Sequence, residues 1–579
     1  MKHKLLVLLI LLLSGSGLVN AQEANTGLTT LPEKFNHPFF GENVFIFDPA
    51  MDMSEIQILL DTIFARQSAR RSEFTTDRFA LLFKPGQYDL DVKLGYYMQI
   101  AGLGESPEDV VINGAVRSNS RGRSVLVNFW RAVENLTIIP PTDSTVTWGV
   151  SQAAPMRRVY VKGNMNLFDK GYASGGFLAD SKVDGTVASG PQQQWFTRNS
   201  QMGKWVGGNW NMMFVGVPDA PQEDWPEKPY TTIEKTPLVR EKPFLALTDK
   251  GIVIKMPVLK MNSSGPGWVN NINDEKILNL NKFYIVKPGV DNSESINSAL
   301  KKGKNLLFTP GIYSIDKPLK VTRKNTVIMG LGMPSLVPLN GNPVMEIVDV
   351  DGVTVSGILI DAGEKKSEVL LQVGQAGSVK NHETNPTFLF DVFVRVGGPH
   401  EGSVTSAIVI NSNNVIVDHI WLWRADHGNG VGWDKNRCAN GLVVNGDDVT
   451  IYGLFNEHNQ EYQTLWNGND GRVYFYQSEM PYDPPTADAW QHDGINGYAS
   501  YKVADHVKTH EAWGIGIYNV FYQAPVIVDN AIETPEALEE YIHHKIIFWL
   551  SGNKDSEVRS IINGKGGPVN QSVRKATMK

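Results

Sequence analysis

The chain has a single cysteine, Cys438, among 579 residues, so no disulfide can form within it and its stability must come from burial and hydrogen bonding. An excess of basic charge is also lacking. The formal net charge is −7, which disfavours polyanions and argues against nucleic acid or an anionic membrane as a partner. Beyond Leu13 no apolar run approaches the length of a membrane span, and no long segment carries the 3.6-residue period of an amphipathic helix. His419, His427, His458, His492, His506 and His510 crowd one region, yet no pair has the spacing of a zinc motif. A Gly-x-Ser-x-Gly nucleophile motif and a phosphate-loop lysine are likewise missing. Neither a metal nor a cofactor is therefore expected. With 42% hydrophobic residues, the chain can bury a large core and reads as one or two globular units.

The N-terminus does hold one apolar run. Met-Lys-His-Lys is followed by Leu5 to Leu13, then by small and polar residues ending in Val19-Asn20-Ala21. The run is too short to span a bilayer, and small residues stand at −3 and −1 of a cut after Ala21, the pattern of a secretory signal peptide. Residues 1–21 are expected to be removed, leaving a secreted or periplasmic protein with no membrane contact. A monomer is expected.

One unit occurs twice. Val44-Phe-Ile-Phe-Asp-Pro49, then Asp52 and Glu55 before an apolar stretch, parallels Phe283-Tyr-Ile-Val-Lys-Pro288, then Asp291 and Glu294. Leu81-Leu-Phe-Lys-Pro-Gly-Gln-Tyr matches Leu306-Leu-Phe-Thr-Pro-Gly-Ile-Tyr, and both copies proceed to Gly-Leu-Gly at Gly102 and Gly330. This implies two homologous domains, 22–261 and 283–579, joined by a linker at 262–282. Short β-branched and aromatic runs follow in each, several opening on Asn or Asp, as at Asn135, Asn414 and Asp448. Their recurrence every ~20–35 residues suits the coils of a parallel β-helix. The expected fold is all-β, two tandem right-handed single-stranded parallel β-helices packed side by side, with a β-sandwich as the competing architecture. In a β-helix, positions one coil apart stack ~4.8 Å from each other.

That geometry organises the polar residues. Glu457 and Glu479 lie 22 residues apart, one coil, and each closes a strand run. Two stacked carboxyls repel, and burial near Trp423, Trp466 and Tyr482 would drive at least one towards its neutral form, as a general acid requires. Gln152, Ser174 and Gln194 have similar spacing in the first half and could form a ladder of neutral hydrogen-bonding groups. Facing domains would set that ladder against the carboxyls in a cleft with aromatic walls, suited to a neutral sugar. Tyr172 and His427 belong to the same two dense segments, and His427 and Trp466 are expected substrate contacts. Arg424 near Asp426 is a weaker echo of a uronate lyase.

Trp148 to Gln152, Ser174-Gly-Gly-Phe177, Gln193-Gln194 through Asn199, Glu457-His458 and Gln477-Ser-Glu-Met-Pro-Tyr482, taken together and in order along nearly the whole mature chain, resemble glycoside hydrolase family 55, exo-acting β-1,3-glucanases. The resemblance implies two tandem β-helices with the active site between them and inverting hydrolysis of a β-1,3-glucan such as laminarin. It makes Glu479 the general acid, with Glu457, Gln152 and Ser174 holding the attacking water, Gln194 lining the same site, and Trp423, Tyr172 and Tyr482 as sugar-contacting aromatics, so that these four are expected substrate contacts. Gln192-Gln-Gln194 carries one glutamine more than the family pattern, leaving open which amide belongs to the site. The rival readings are a β-helical hydrolase or lyase acting on another polysaccharide, and a non-catalytic glycan-binding β-helix.

Overall fold

The computed structural model describes residue 31 and residues 39–120, 122–141, 145–269 and 275–579; the signal-peptide segment lies outside the described residues. The N-terminal half opens with strand Val44–Phe47 and helix Met53–Gln67. Asp52 caps the helix by accepting from the amides of Ser54 and Glu55, while Ile56, Leu59, Leu60 and Ile63 turn inward. The chain then winds through parallel strands, among them Phe79–Phe83, Met98–Gly102, Arg131–Ile139, Pro155–Val161, Phe177–Ala179, Gln194–Arg198 and Asn211–Val215, each paired with the one a coil before it. The second half repeats the plan with helix Ser293–Lys301 and the stacked strands Asn305–Phe308, Val327–Gly330, Thr354–Asp361, Phe388–Val396, Ile416–Arg424, Thr450–Glu457, Gly471–Glu479, His510–Phe521 and Ile542–Gly552. A second parallel sheet, from Leu319–Val321 to Ile532–Glu533, closes each coil on its other side. Within the stretch 262–282, Lys276–Asn279 pairs antiparallel with Gly251–Met256.

In the sheets that face each other, the later strands are each interrupted at one residue. In the C-terminal sheet the register passes over Gly357, Asp391, His419, Gly453, Phe475, Gly514 and His544, one above another on successive coils. All have φ between 48° and 72°. Asn135, Arg158, Asp180 and Asn199 form a matching left-handed column in the N-terminal sheet. A left-handed residue inserted into a strand resets the in-and-out alternation of the side chains. In Gly471–Glu479, Val473 and Tyr476 both point into the coil's interior, whereas Tyr474 and Phe475 face the other domain. Strict alternation from Val473 would have turned Glu479 inward; after the reset it points outward.

The two sheets pack face to face. Trp130, Phe129, Phe177 and Phe196 of the first domain interlock with Phe390, Phe393, Trp421, Phe455 and Phe475 of the second. Beneath these rings runs a buried charge lattice. Arg157 meets Asp391 at 2.8 Å and Asp418 at 2.7 Å, Arg198 meets Asp418 at 2.9 Å, and Lys242 meets Asp391 at 2.9 Å. Each of these pairs spans the interface, so the domains are locked by charge as well as by rings.

Candidate active site

Glu457 and Glu479 end their strands as direct register partners on adjacent coils. Gln152 of the other domain reaches across: its Nε2 donates to Glu457 Oε1 at 2.8 Å and to Ser174 Oγ at 3.2 Å. Gln194 Nε2 donates to the same Ser174 oxygen at 3.4 Å. The glutamine ladder of one domain thus meets the carboxyl pair of the other. Gln192 resolves the extra residue in the Gln-Gln-Gln run, since it is spent on backbone: its Oε1 accepts from Gly175 N at 2.8 Å and its Nε2 donates to Leu167 O at 3.1 Å and Val150 O at 3.2 Å. Gln194 is therefore the amide at the site.

Two contacts escaped the sequence reading. Trp421 Nε1 donates to Glu457 Oε2 at 2.8 Å, and Gln477 Nε2 donates to Glu479 Oε1 at 3.4 Å. Both residues lie two positions from a site residue on the same strand, a spacing that places them on one face and could have revealed them. The Tyr482 hydroxyl bonds Glu479 Oε2, and its half-buried ring packs on His458 and Tyr522. The Oε1 atoms of Gln152 and Gln194 are buried without a partner among the described residues, which leaves acceptors beside the carboxyls for a water or a sugar hydroxyl.

The carboxyls differ electrostatically. Burial lifts the Glu479 pKa well above the ordinary carboxylate value, and the facing charges of Glu457 and Asp426 add to the rise; a hydrogen bond with Ser174 opposes it. Burial also raises Glu457, but the nearby His458 charge and hydrogen bonds from Gln477, Trp421 and Gln152 hold it back. Both carboxyls are pushed up, Glu479 the further.

The remaining expected contacts divide. His427 is clamped between domains, Nε2 on Glu73 Oε1 at 2.7 Å and Nδ1 on Asp426 Oδ1 at 2.9 Å. Burial works against its charge, but hydrogen bonds with those two carboxylates lift its pKa to about 10. Tyr172 is 55% exposed, two residues before Ser174. Trp423 is only 2% exposed and stacks on Trp421 and Phe74, so it is an enclosed wall rather than an open platform. Trp466 does not belong here. It lies fully buried in the interior of the C-terminal β-helix against His510, because Thr464–Trp466 belongs to the outer sheet, where its ring points into the coil. Arg424 pairs not with Asp426 but with Asp483, by two bonds of 2.8 Å. A cavity of about 180 Å³ lined by Arg158, Glu241, Lys260 and Glu275 contains none of these site residues.

Residues 283–479 match the LAM55 pectate lyase-like domain. An exo-beta-1,3-glucanase of Streptomyces sp. (strain SirexAA-E / ActE) is 46% identical over 535 residues, 91% of this chain and 87% of the relative. The chain belongs to glycoside hydrolase family 55. The solved structure of sacteLam55A from Streptomyces sp. SirexAA-E superposes on this family 55 chain with a TM-score of 0.90 at 44% identity, covering 93% of this chain and 98% of that one. A variant of sacteLam55A was solved in complex with glucose and aligns equally well. This family 55 member is accordingly a glycoside hydrolase, on two β-helical domains with parallel sheets.

Proposed function

We propose that the enzyme releases sugar from the non-reducing end of a β-1,3-glucan such as laminarin, with inversion, and that it works outside the cytoplasm as a monomer. The observation that carries this reading is the unequal carboxyl pair: Glu479 is buried and faces the charges of Glu457 and Asp426, which push its pKa well up, while Gln152 reaches from the facing domain to bond Glu457 and Ser174. Glu479 protonates the departing glycosidic oxygen. A water held by Glu457, Gln152 and Ser174 attacks the anomeric carbon from the opposite face, and its proton passes into that hydrogen-bonded set. The name of the Streptomyces relative and the glucose bound to its variant support the substrate class. Exo action is supported by the contacts that cross between domains one coil before Glu457, where Phe74 stacks on Trp423 and Glu73 binds His427. On this reading they form the wall at which the chain end of the substrate stops. The apolar run at Leu5–Leu13 supports export.

Laminarin digested by the purified mature protein and followed by chromatography and anomer-resolved NMR tests the reading. Glucose or short oligosaccharide appearing first as the α-anomer is expected. Internal cleavage into a broad ladder, or a β-anomer product, would overturn the exo or the inverting assignment respectively.

A further inference from the structure

Gln152 carries the contacts to Ser174 and Glu457, yet its backbone sits at φ 22°, in the positive region that a non-glycine residue holds only where its surroundings enforce it. One enforcing contact comes from the other domain. His419, fully buried, places Nε2 3.1 Å from the Gln152 carbonyl oxygen and Nδ1 2.8 Å from Asp391 Oδ1. A carbonyl only accepts, so Nε2 donates. The ring cannot swing away, because it lies flat on Phe177 with centroids 4.5 Å apart and meets the edges of Phe393 and Phe455. Asp391 is fixed in turn by Arg157 and Lys242. His419 also occupies the left-handed column, which is why its side chain faces the N-terminal domain at all.

We propose that His419 is a positioning residue for hydrolysis: through its hydrogen bond to the Gln152 carbonyl it holds that backbone in its strained form, so that the Gln152 amide spans Ser174 and Glu457 and keeps the attacking water in line. It touches no substrate. The charge lattice between the domains thereby acts on the catalytic amide through one imidazole. This inference rests on the water-holding role assigned to Gln152 above.

Two amide substitutions separate this contact from mere packing. His419→Gln can present an N–H near the Nε2 position and keep the bond to Gln152, whereas His419→Asn places its amide near Nδ1, keeping Asp391 and losing Gln152. With laminaribiose and an activated aryl β-glucoside as substrates, His419→Asn should lower kcat at least ten-fold on both, with KM changed less than about three-fold. His419→Gln should recover most of kcat. In the His419→Asn background, adding Gln152→Ala should cost little more, because the amide is already misplaced. Crystal structures of the two variants give a readout independent of turnover: Gln152 should relax to negative φ and leave Glu457 in the Asn variant only. Equal kcat for the two variants, additive losses in the double variant, or an unchanged Gln152 in the Asn variant would overturn the proposal. A wild-type enzyme inactive on both sugars would instead count against the proposed function, and the crystal structures would still decide the role of His419.

Discussion

Glu479 and Glu457 are the same residue type on neighbouring coils, and what each one faces sets them apart: the charges of Glu457 and Asp426 for the first, the hydrogen bonds of Trp421 and Gln152 for the second. Leaving-group ability exposes the division. Glu479→Gln should nearly abolish laminarin hydrolysis yet spare much of the activity on an aryl glucoside whose phenolate needs little protonation, whereas Glu457→Gln should depress both, since each still needs the same water. Glu457→Gln also removes the negative charge that helps raise Glu479. The alkaline limb of its residual kcat/KM profile on laminari-oligosaccharides should then move to lower pH, and a limb that stayed put or moved up would show that Glu457 is not the charge that Glu479 feels. A further consequence concerns stability. Because folding raises the Glu479 pKa above its unfolded value of ~4.5, the folded state holds this proton more tightly than the unfolded chain. The resulting contribution is fully present below about pH 4.5 and is lost as pH rises towards the folded pKa. Glu479→Gln has no such loss, so its melting temperature should equal or exceed that of the wild type at pH 7 to 8, with the difference shrinking towards pH 4. A difference that grew on acidification would mean that Glu479 is ionised in the folded protein.

At the scale of the strand, the left-handed column decides which side chains face the other domain and the candidate site. Gly453 stands in it at φ 72°, and a Cβ there would lie 3.2 Å from both Phe177 and Phe196 of the facing domain. Gly453→Ala therefore combines backbone strain with crowding at the interface and should lower stability by ~1–3 kcal/mol, read as a shift in urea midpoint at unchanged m-value. An unaffected midpoint would mean that the interface yields easily there. This column also marks where the sequence stopped being legible. The repeated Pro-Gly turns, the one-coil spacing and the strand-opening Asn414 and Asp448 are local signals with a fixed period or turn preference, whereas Asn135, expected to open a strand, stands in mid-strand in the left-handed column. Glu457 and Glu479 were found that way. The parity reset was not, since residues as unlike as Gly453, Phe475 and His419 occupy it and no composition rule selects them. Trp466 illustrates the cost: its place in a dense aromatic segment suggested a cleft wall, but only knowledge of which sheet it lies in shows that it points inward. The buried lattice of Arg157, Arg198, Asp391 and Asp418 was equally hidden, its partners lying more than two hundred positions apart.

For the whole molecule, the consequence is that neither domain carries the whole candidate site. The carboxyls come from one β-helix and the amides from the other, and the interface between them is a mixture of large rings and paired charges rather than a greasy surface that could be left bare. Removing one domain would expose Trp421, Phe390, Phe393, Phe455 and Phe475, which are buried against the N-terminal half, and would strip Asp391 and Asp418 of Arg157, Arg198 and Lys242. Uncompensated buried charge costs several kcal/mol per ion, and an exposed apolar face of that size drives association. Residues 283–579 produced alone should therefore aggregate or unfold below the melting temperature of the intact chain, with no activity even on an aryl glucoside, because Gln152 and Ser174 are absent to hold the water. Mixing it with separately produced residues 22–261 supplies the sharper measurement. Recovery of activity would have to follow second-order kinetics and saturate at one-to-one stoichiometry, since the site exists only where the two sheets meet. Activity in the C-terminal half by itself would show that the glutamine ladder is dispensable, and with it the account of how water reaches the sugar.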